Sequence, residues 1–183
     1  MGRIYDHIDE RLAEWVSAQH VFFVASAPNE GGHVNLSPKG LDTLRILDDH
    51  RVAYLDLTGS GAETIAHVRE NGRLTMMFCA FDGPPRIVRL HGRGSVVALH
   101  DAGYDEVAGG FPDRRGARAV IVLDVERIAD SCGFGVPLMD YVADRDSYAR
   151  YTDHKTDEEI EEYRVTRNAA SIDGLPAWDP LTV

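Results

Sequence analysis

Leu55-Asp56-Leu57-Thr58-Gly59-Ser60-Gly61-Ala62-Glu63-Thr64 is the stretch from which the architecture of this chain unfolds. An apolar strand is expected over residues 50–57 and a helix over 61–71, stopped by Asn71-Gly72. A glycine-flanked serine turn joins them. The first N–H groups of a helix have no intrahelical partner, and the helix dipole favours negative charge, so the turn predicts an anion site for a phosphate-bearing small molecule. The same residues also have the Ser-x-x-Glu spacing of a capping box, Ser60 to Glu63, which needs no ligand.

Upstream, Ile8, Leu12, Trp15 and Val16 form an apolar stripe that predicts a helix over 9–19. Residues 21–26 and 33–37 read as a hairpin around a glycine-rich loop. Downstream, strands are expected over 73–81, 86–99 and 117–125, with Gly92 and Gly94 marking a bulge or sharp bend. A short helix is expected over 101–108. Thr156 and Glu159 form a second capping box, opening a helix to about residue 168. Six strands joined mostly by short turns predict a mainly β fold: a six-stranded antiparallel, closed or nearly closed barrel with flanking helices. The third glycine and the βαβ context of a dinucleotide fold are missing.

The chain has 183 residues, 44% hydrophobic and 27% charged, with a formal net charge of −11. That balance argues against nucleic acid and an anionic membrane surface as partners. Met1-Gly2 leads straight towards a helix, Asp6 stands where a myristoylation signal wants Ser or Thr, and the only cysteines are Cys79 and Cys132. A cytoplasmic location with reduced thiols is expected, with Cys79 a small core residue. The eight histidines form no ligand motif, so no metal site is expected.

The order Leu55-Asp56-Leu57-Thr58-Gly59-Ser60, helix, Asn71-Gly72-Arg73-Leu74-Thr75-Met76-Met77-Phe78 resembles the pyridoxamine 5′-phosphate oxidase-like flavoproteins. Arg86-Ile87-Val88-Arg89-Leu90-His91-Gly92 is similar to their Arg-Gln-Val-x-x-x-Gly strand. His33-Val34-Asn35-Leu36-Ser37-Pro38-Lys39 is similar to their lysine-ended second strand. One group within that family shares the patterns of residues 33–40, 59–64, 131–137 and 171–176. The resemblance implies one FMN-binding split-barrel domain over residues 1–183, with an N-terminal helix and a C-terminal helical extension. It also implies a homodimer, FMN at the dimer interface and flavin-dependent oxidoreductase activity on a small-molecule substrate or electron donor. The expected cofactor residues are Asn35, Ser37, Lys39, Leu57, Thr58, Gly59, Ser60, Gly61, Thr64 and Arg89.

The chain departs from the oxidase pattern at three points. Two basic residues follow the Gly-Ser turn there and hold the FMN phosphate, whereas this segment reads Gly61-Ala62-Glu63-Thr64, with no cation. Ile87 stands for the glutamine that reaches the flavin ring, and the C-terminal Arg-x-His of the vitamin site has no counterpart. Alternative readings are a deazaflavin-dependent reductase or a non-catalytic flavin- or haem-binding sensing module on the same barrel. Any phosphate at the turn then requires a cation from elsewhere. Lys39, Arg73 and Arg89 are the options, with Lys39 preferred, or else placed on the substrate side. Arg89 in mid-strand needs a partner, either a cofactor or an acid across the dimer. Asn35 and Ser37 share one face of their strand, which either contacts the flavin edge or is simply solvated. His67 reads as a surface helix residue. The 131–137 loop reads as a tight turn near a planar ligand or a neighbouring subunit.

Overall fold

The computed structural model describes residues 2–179. Its strands are β1 (Ile4–Tyr5), β2 (Phe22–Ser26), β3 (Asn35–Lys39), β4 (Leu44–Ile46), β5 (Arg51–Leu57), β6 (Arg73–Cys79), β7 (Ile87–Ala98) and β8 (Ala117–Ser131). The helices are α1 (Glu10–Ser17), α2 (Glu63–Asn71), α3 (Tyr104–Ala108), α4 (Ser147–Asp153) and α5 (Asp157–Arg167). Every strand pair is antiparallel, in the order β3-β2-β6-β7-β8-β5-β4, with β1 added on β8. The six expected strands are all present. The count of six is corrected by β1 and β4, which hold two and three residues and are too short to show a period. β8 also runs six residues past its expected end, to Ser131.

The sheet curls into a half-barrel. β2 and β5 are four positions apart in strand order, which in a flat sheet means about 19 Å. Yet the rings of Phe22 and Tyr54 lie 5.9 Å apart in one core with Val24, Met76, Leu90 and Ile121. The bend is permitted at the His91/Gly92 bulge, where a Cβ on Gly92 would lie 1.9 Å from the Asp124 carbonyl oxygen. The outer faces of β5 and β8 pack a second cluster of Ala53, Leu55, Val120 and Val122 under Tyr104 and Phe111. This two-sided burial is why residues 52–56 read as an unbroken strand rather than an alternating one.

α1 starts at Asp9, whose carboxylate accepts from the Leu12 N–H at 2.8 Å, and buries Leu12 and Val16. α2 closes the barrel between β5 and β6 and ends at Gly72, in the left-handed region at φ 71°. The Thr156–Glu159 capping box of α5 is formed. Among the described residues no helix is long and apolar enough to cross a membrane.

Candidate functional site

The turn between β5 and α2 is built differently from a capped helix. α2 begins at Glu63, two residues later than expected, and its N-cap Ala62 offers no side-chain hydrogen bond. The capping box expected from Ser60 and Glu63 is therefore absent. The Glu63 carboxylate instead accepts from the Ile172 N–H, 3.2 Å from each oxygen, and so is turned towards the C-terminal segment. Thr58 is fixed at both ends: its N–H donates to Gly116 at 2.9 Å, and its hydroxyl accepts from Arg164 Nε at 2.9 Å. Gly59, Ser60 and Gly61 are exposed, and the N–H groups of residues 59–62 donate to no acceptor among the described residues.

The carbonyls of this turn, in contrast, are held from within. Asn168 Nδ2 donates to the Gly59 carbonyl at 2.9 Å, and Arg118 Nη2 to the Gly61 carbonyl at 2.8 Å. Arg118 Nη1 donates to Asn168 Oδ1 at 2.7 Å, and its Nε to Asp56 Oδ2 at 2.7 Å. The other oxygen of Asp56 accepts from Lys39 Nζ at 2.9 Å. Burial acts to raise the Asp56 carboxyl, but Arg118 and Lys39 together outweigh it and hold it below the usual carboxylate value. Two cations thus share one buried carboxylate beneath the turn. Arg164, also buried, bonds Glu161 and the Ala117 carbonyl besides Thr58.

A second polar group lies behind the first turn of α2. Asn35 Nδ2 donates to Ser26 Oγ at 3.1 Å and to Thr64 Oγ1 at 3.0 Å, and Ser37 donates to Asn35 Oδ1 at 2.9 Å. Ser26 Oγ also bonds His67 Nδ1 at 3.0 Å. His67 is fully buried and its Nε2 has no partner among the described residues, which corrects its reading as a surface residue. Strand β3 is turned opposite to a solvated polar face: Asn35, Ser37 and Lys39 pair beside the core positions Ser26, Val24 and Phe22, whereas Val34 and Leu36 are 77% and 62% exposed.

Asn35, Ser37, Lys39 and Thr64 therefore converge behind the turn formed by Leu57, Thr58, Gly59, Ser60 and Gly61. Arg89 does not join them. It pairs with Met77 and Ala129 on the outer face of the sheet, and its Nη1 donates to Ser131 Oγ at 3.1 Å. Neither Arg73 nor Arg89 supplies the turn with a cation, since Arg73 bonds the Pro28 carbonyl. The sequence reading missed Arg118, Arg164 and Asn168. The signal for Arg118 was a lone charge opening the apolar run of β8; Asn168 carried none, lying 109 positions from Gly59. Cys79 is buried as expected, and Cys132 is exposed.

Comparison with known proteins bears on the family and the fold. The Pyridoxamine 5'-phosphate oxidase family ustO protein of Aspergillus flavus is 44% identical over 196 residues, spanning 96% of this chain and 78% of that protein. HupZ of Group A Streptococcus superposes with a TM-score of 0.53 at 23% identity, over 66% of this chain and 91% of that one. A putative pyridoxamine 5'-phosphate oxidase from Lactobacillus delbrueckii gives 0.53 at 16% identity, over 68% and 94%. These two likenesses establish the split-barrel fold. Residues 8–132 match the family profile described as Pyridoxamine 5'-phosphate oxidase, and with the fungal relative this places the chain in the pyridoxamine 5′-phosphate oxidase family.

Proposed function

We propose that this chain binds FMN and acts as a flavin-dependent oxidoreductase on a small-molecule substrate or electron donor. The observation that carries the reading is the β5–α2 turn: residues 59–61 are exposed, and the N–H groups of residues 59–62 have no acceptor among the described residues, at a helix start with no side-chain cap. That donor set fits a phosphate. The Ser60 hydroxyl and these N–H groups would hold the phosphate. Thr64 and Asn35 would support the turn from behind, and Lys39 would lend charge through the Asp56 pair. Bound FMN supplies the hydride or electron acceptor, while the chain anchors it, orients it and tunes its electrostatics.

A homodimer belongs to the same reading. Leu36 and Val34 lie exposed beside the half-buried Phe23 and Met77 on the outer sheet face, an apolar surface that association would cover. Arg89 stands on this face, where a partner subunit or a cofactor between subunits would meet it.

The visible spectrum of freshly purified protein tests the reading, together with the identity of any flavin released on denaturation. FMN absorption and FMN release are expected. A colourless protein that takes up no FMN on titration removes it. Ile87, on the strand where the oxidase pattern has its ring-binding glutamine, favours a deazaflavin as the second reading. Tight deazaflavin binding without FMN affinity would establish that one instead.

A further inference from the structure

Each peptide unit is planar and trans, so its C=O and the following N–H point in opposite directions. Asn168 draws the Gly59 carbonyl inwards, and the Ser60 N–H is thereby aimed away from Asn168. Arg118 holds the Gly61 carbonyl in the same way, which aims the N–H of the buried Ala62 away from Arg118. Residues 59–61 could not hold this arrangement unaided: glycine flanks Ser60 on both sides, and a Cβ on Gly59 would meet nothing closer than 3.8 Å. The donors are thus fixed by two side chains lying far away in sequence, which are themselves joined at 2.7 Å.

Charge acts in the same direction. Lys39 and Arg118 share the single carboxylate of Asp56, so this trio carries one net positive charge behind the turn, while the Glu63 carboxylate stands on its other side, 3.7 Å from where a Cβ on Gly61 would lie. Arg118 is almost completely shielded from solvent, so its field at the turn is weakly screened. Its bond to the Gly61 carbonyl also polarises the peptide that carries the Ala62 N–H.

We infer that Arg118 and Asn168 are the positioning residues that make this turn an anion receptor, acting from behind in place of the two cations that the oxidase pattern carries in the turn. The inference rests on the turn being the flavin-phosphate site. It also assigns a role to the C-terminal part of the chain. Asn168 caps α5, and its carbonyl accepts from the Trp178 N–H at 2.8 Å, so the 168–178 segment and the phosphate-binding turn are one mechanical unit.

The test is a fluorescence titration of the full chain with FMN and with riboflavin, which lacks the phosphate. The unaltered chain is expected to prefer FMN by at least about tenfold. Arg118→Gln and Asn168→Ala are each expected to reduce that preference by about tenfold and to leave the riboflavin Kd unchanged. Arg118→Lys, which keeps the charge but not the three-way fork, should recover part of it. Asn168→Ala removes no charge and serves should Arg118→Gln not fold, with circular dichroism reporting the fold. An FMN preference that persists undiminished in folded Asn168→Ala overturns the inference and leaves the phosphate reading standing. Equal affinity of the unaltered chain for FMN and riboflavin overturns both.

Discussion

Asp56 accepts from Arg118 Nε at 2.7 Å in a pair with almost no solvent contact, and Lys39 closes on the other carboxylate oxygen. Such a pair gives little net stability when whole, but removing one partner leaves an uncompensated buried charge. Asp56→Asn is therefore expected to destabilise the protein by about 3–5 kcal/mol at neutral pH, measured by urea unfolding. The pH dependence follows from the direction of the shift. The folded carboxyl lies below its usual value of 3.8, so its contribution is complete above that value and is lost as pH falls through the lower, folded value. The gap in stability between Asp56→Asn and the unaltered chain should thus be constant above about pH 5 and narrow only in strong acid. A gap that closes between pH 5 and 8 would contradict the pairing.

Asn35 joins three hydroxyl side chains, those of Ser26, Ser37 and Thr64. Its replacement by alanine leaves these groups short of a partner behind α2, at a cost of about 1–3 kcal/mol. Asn35→Asp keeps an acceptor but offers no N–H to Ser26 or Thr64, and it places a carboxylate near the start of α2. Thermal unfolding should rank the unaltered chain first and both variants well below it. An unchanged Tm in Asn35→Ala would show that the side chain is dispensable to the fold and leave it free for a ligand.

The β5–turn–α2–β6 unit was legible in the sequence because each of its parts has a local cause. The apolar run of residues 52–55, the paired glycines and the Asn71-Gly72 stop act over a few residues each. β1 and β4 were not legible, since their few residues gain strand geometry only from pairing with β8 and β5. The direction of β3 was half legible. Alternation separated Asn35 and Ser37 from Val34 and Leu36, but which set turns inwards depends on β2 and α2 packing over one side. His67 was misread for a related reason: Thr64 to Val68 are all buried, so α2 has no solvent stripe to be read from its period. The turn was visible, whereas the side chains that shape it come from β8 and the end of α5. No local pattern marks that convergence.

Gly92 has a packing reason to be glycine. Any Cβ there would lie 1.9 Å from the Asp124 carbonyl oxygen, a backbone atom that no rotamer change can move. Gly92→Ala must open the β7–β8 ladder at its bulge and is expected to cost on the order of 3 kcal/mol or more. Gly83→Ala serves as a comparison, because that glycine sits at φ 61° in an open turn and its Cβ would meet nothing within 4 Å. Its cost is backbone conformation alone, about 1 kcal/mol. Urea midpoints that rank Gly83→Ala as the more damaging of the two would refute the crowded bulge.

His33 couples the β2–β3 loop to the C-terminal segment. Its Nδ1 lies 2.7 Å from Asp173 Oδ1, and its N–H donates to the other carboxylate oxygen at 2.8 Å. The hydrogen bond to Asp173 raises the imidazole above its usual value of 6.5, assisted by the charge of the same carboxylate. A raised histidine contributes fully below its unfolded value, and the contribution is lost as pH rises through the folded one. The 171–174 loop should therefore loosen from the β2–β3 loop as pH rises through the raised His33 value, while the backbone bond from His33 keeps it near. NMR titration of the His33 ring should give a midpoint above 6.5 that returns towards 6.5 in Asp173→Asn. Amide exchange at residues 172–174 should rise across the same pH interval in the unaltered chain, after correction for intrinsic exchange, and show no such step in Asp173→Asn. If the His33 midpoint is the same in both proteins, the carboxylate is not its partner in solution.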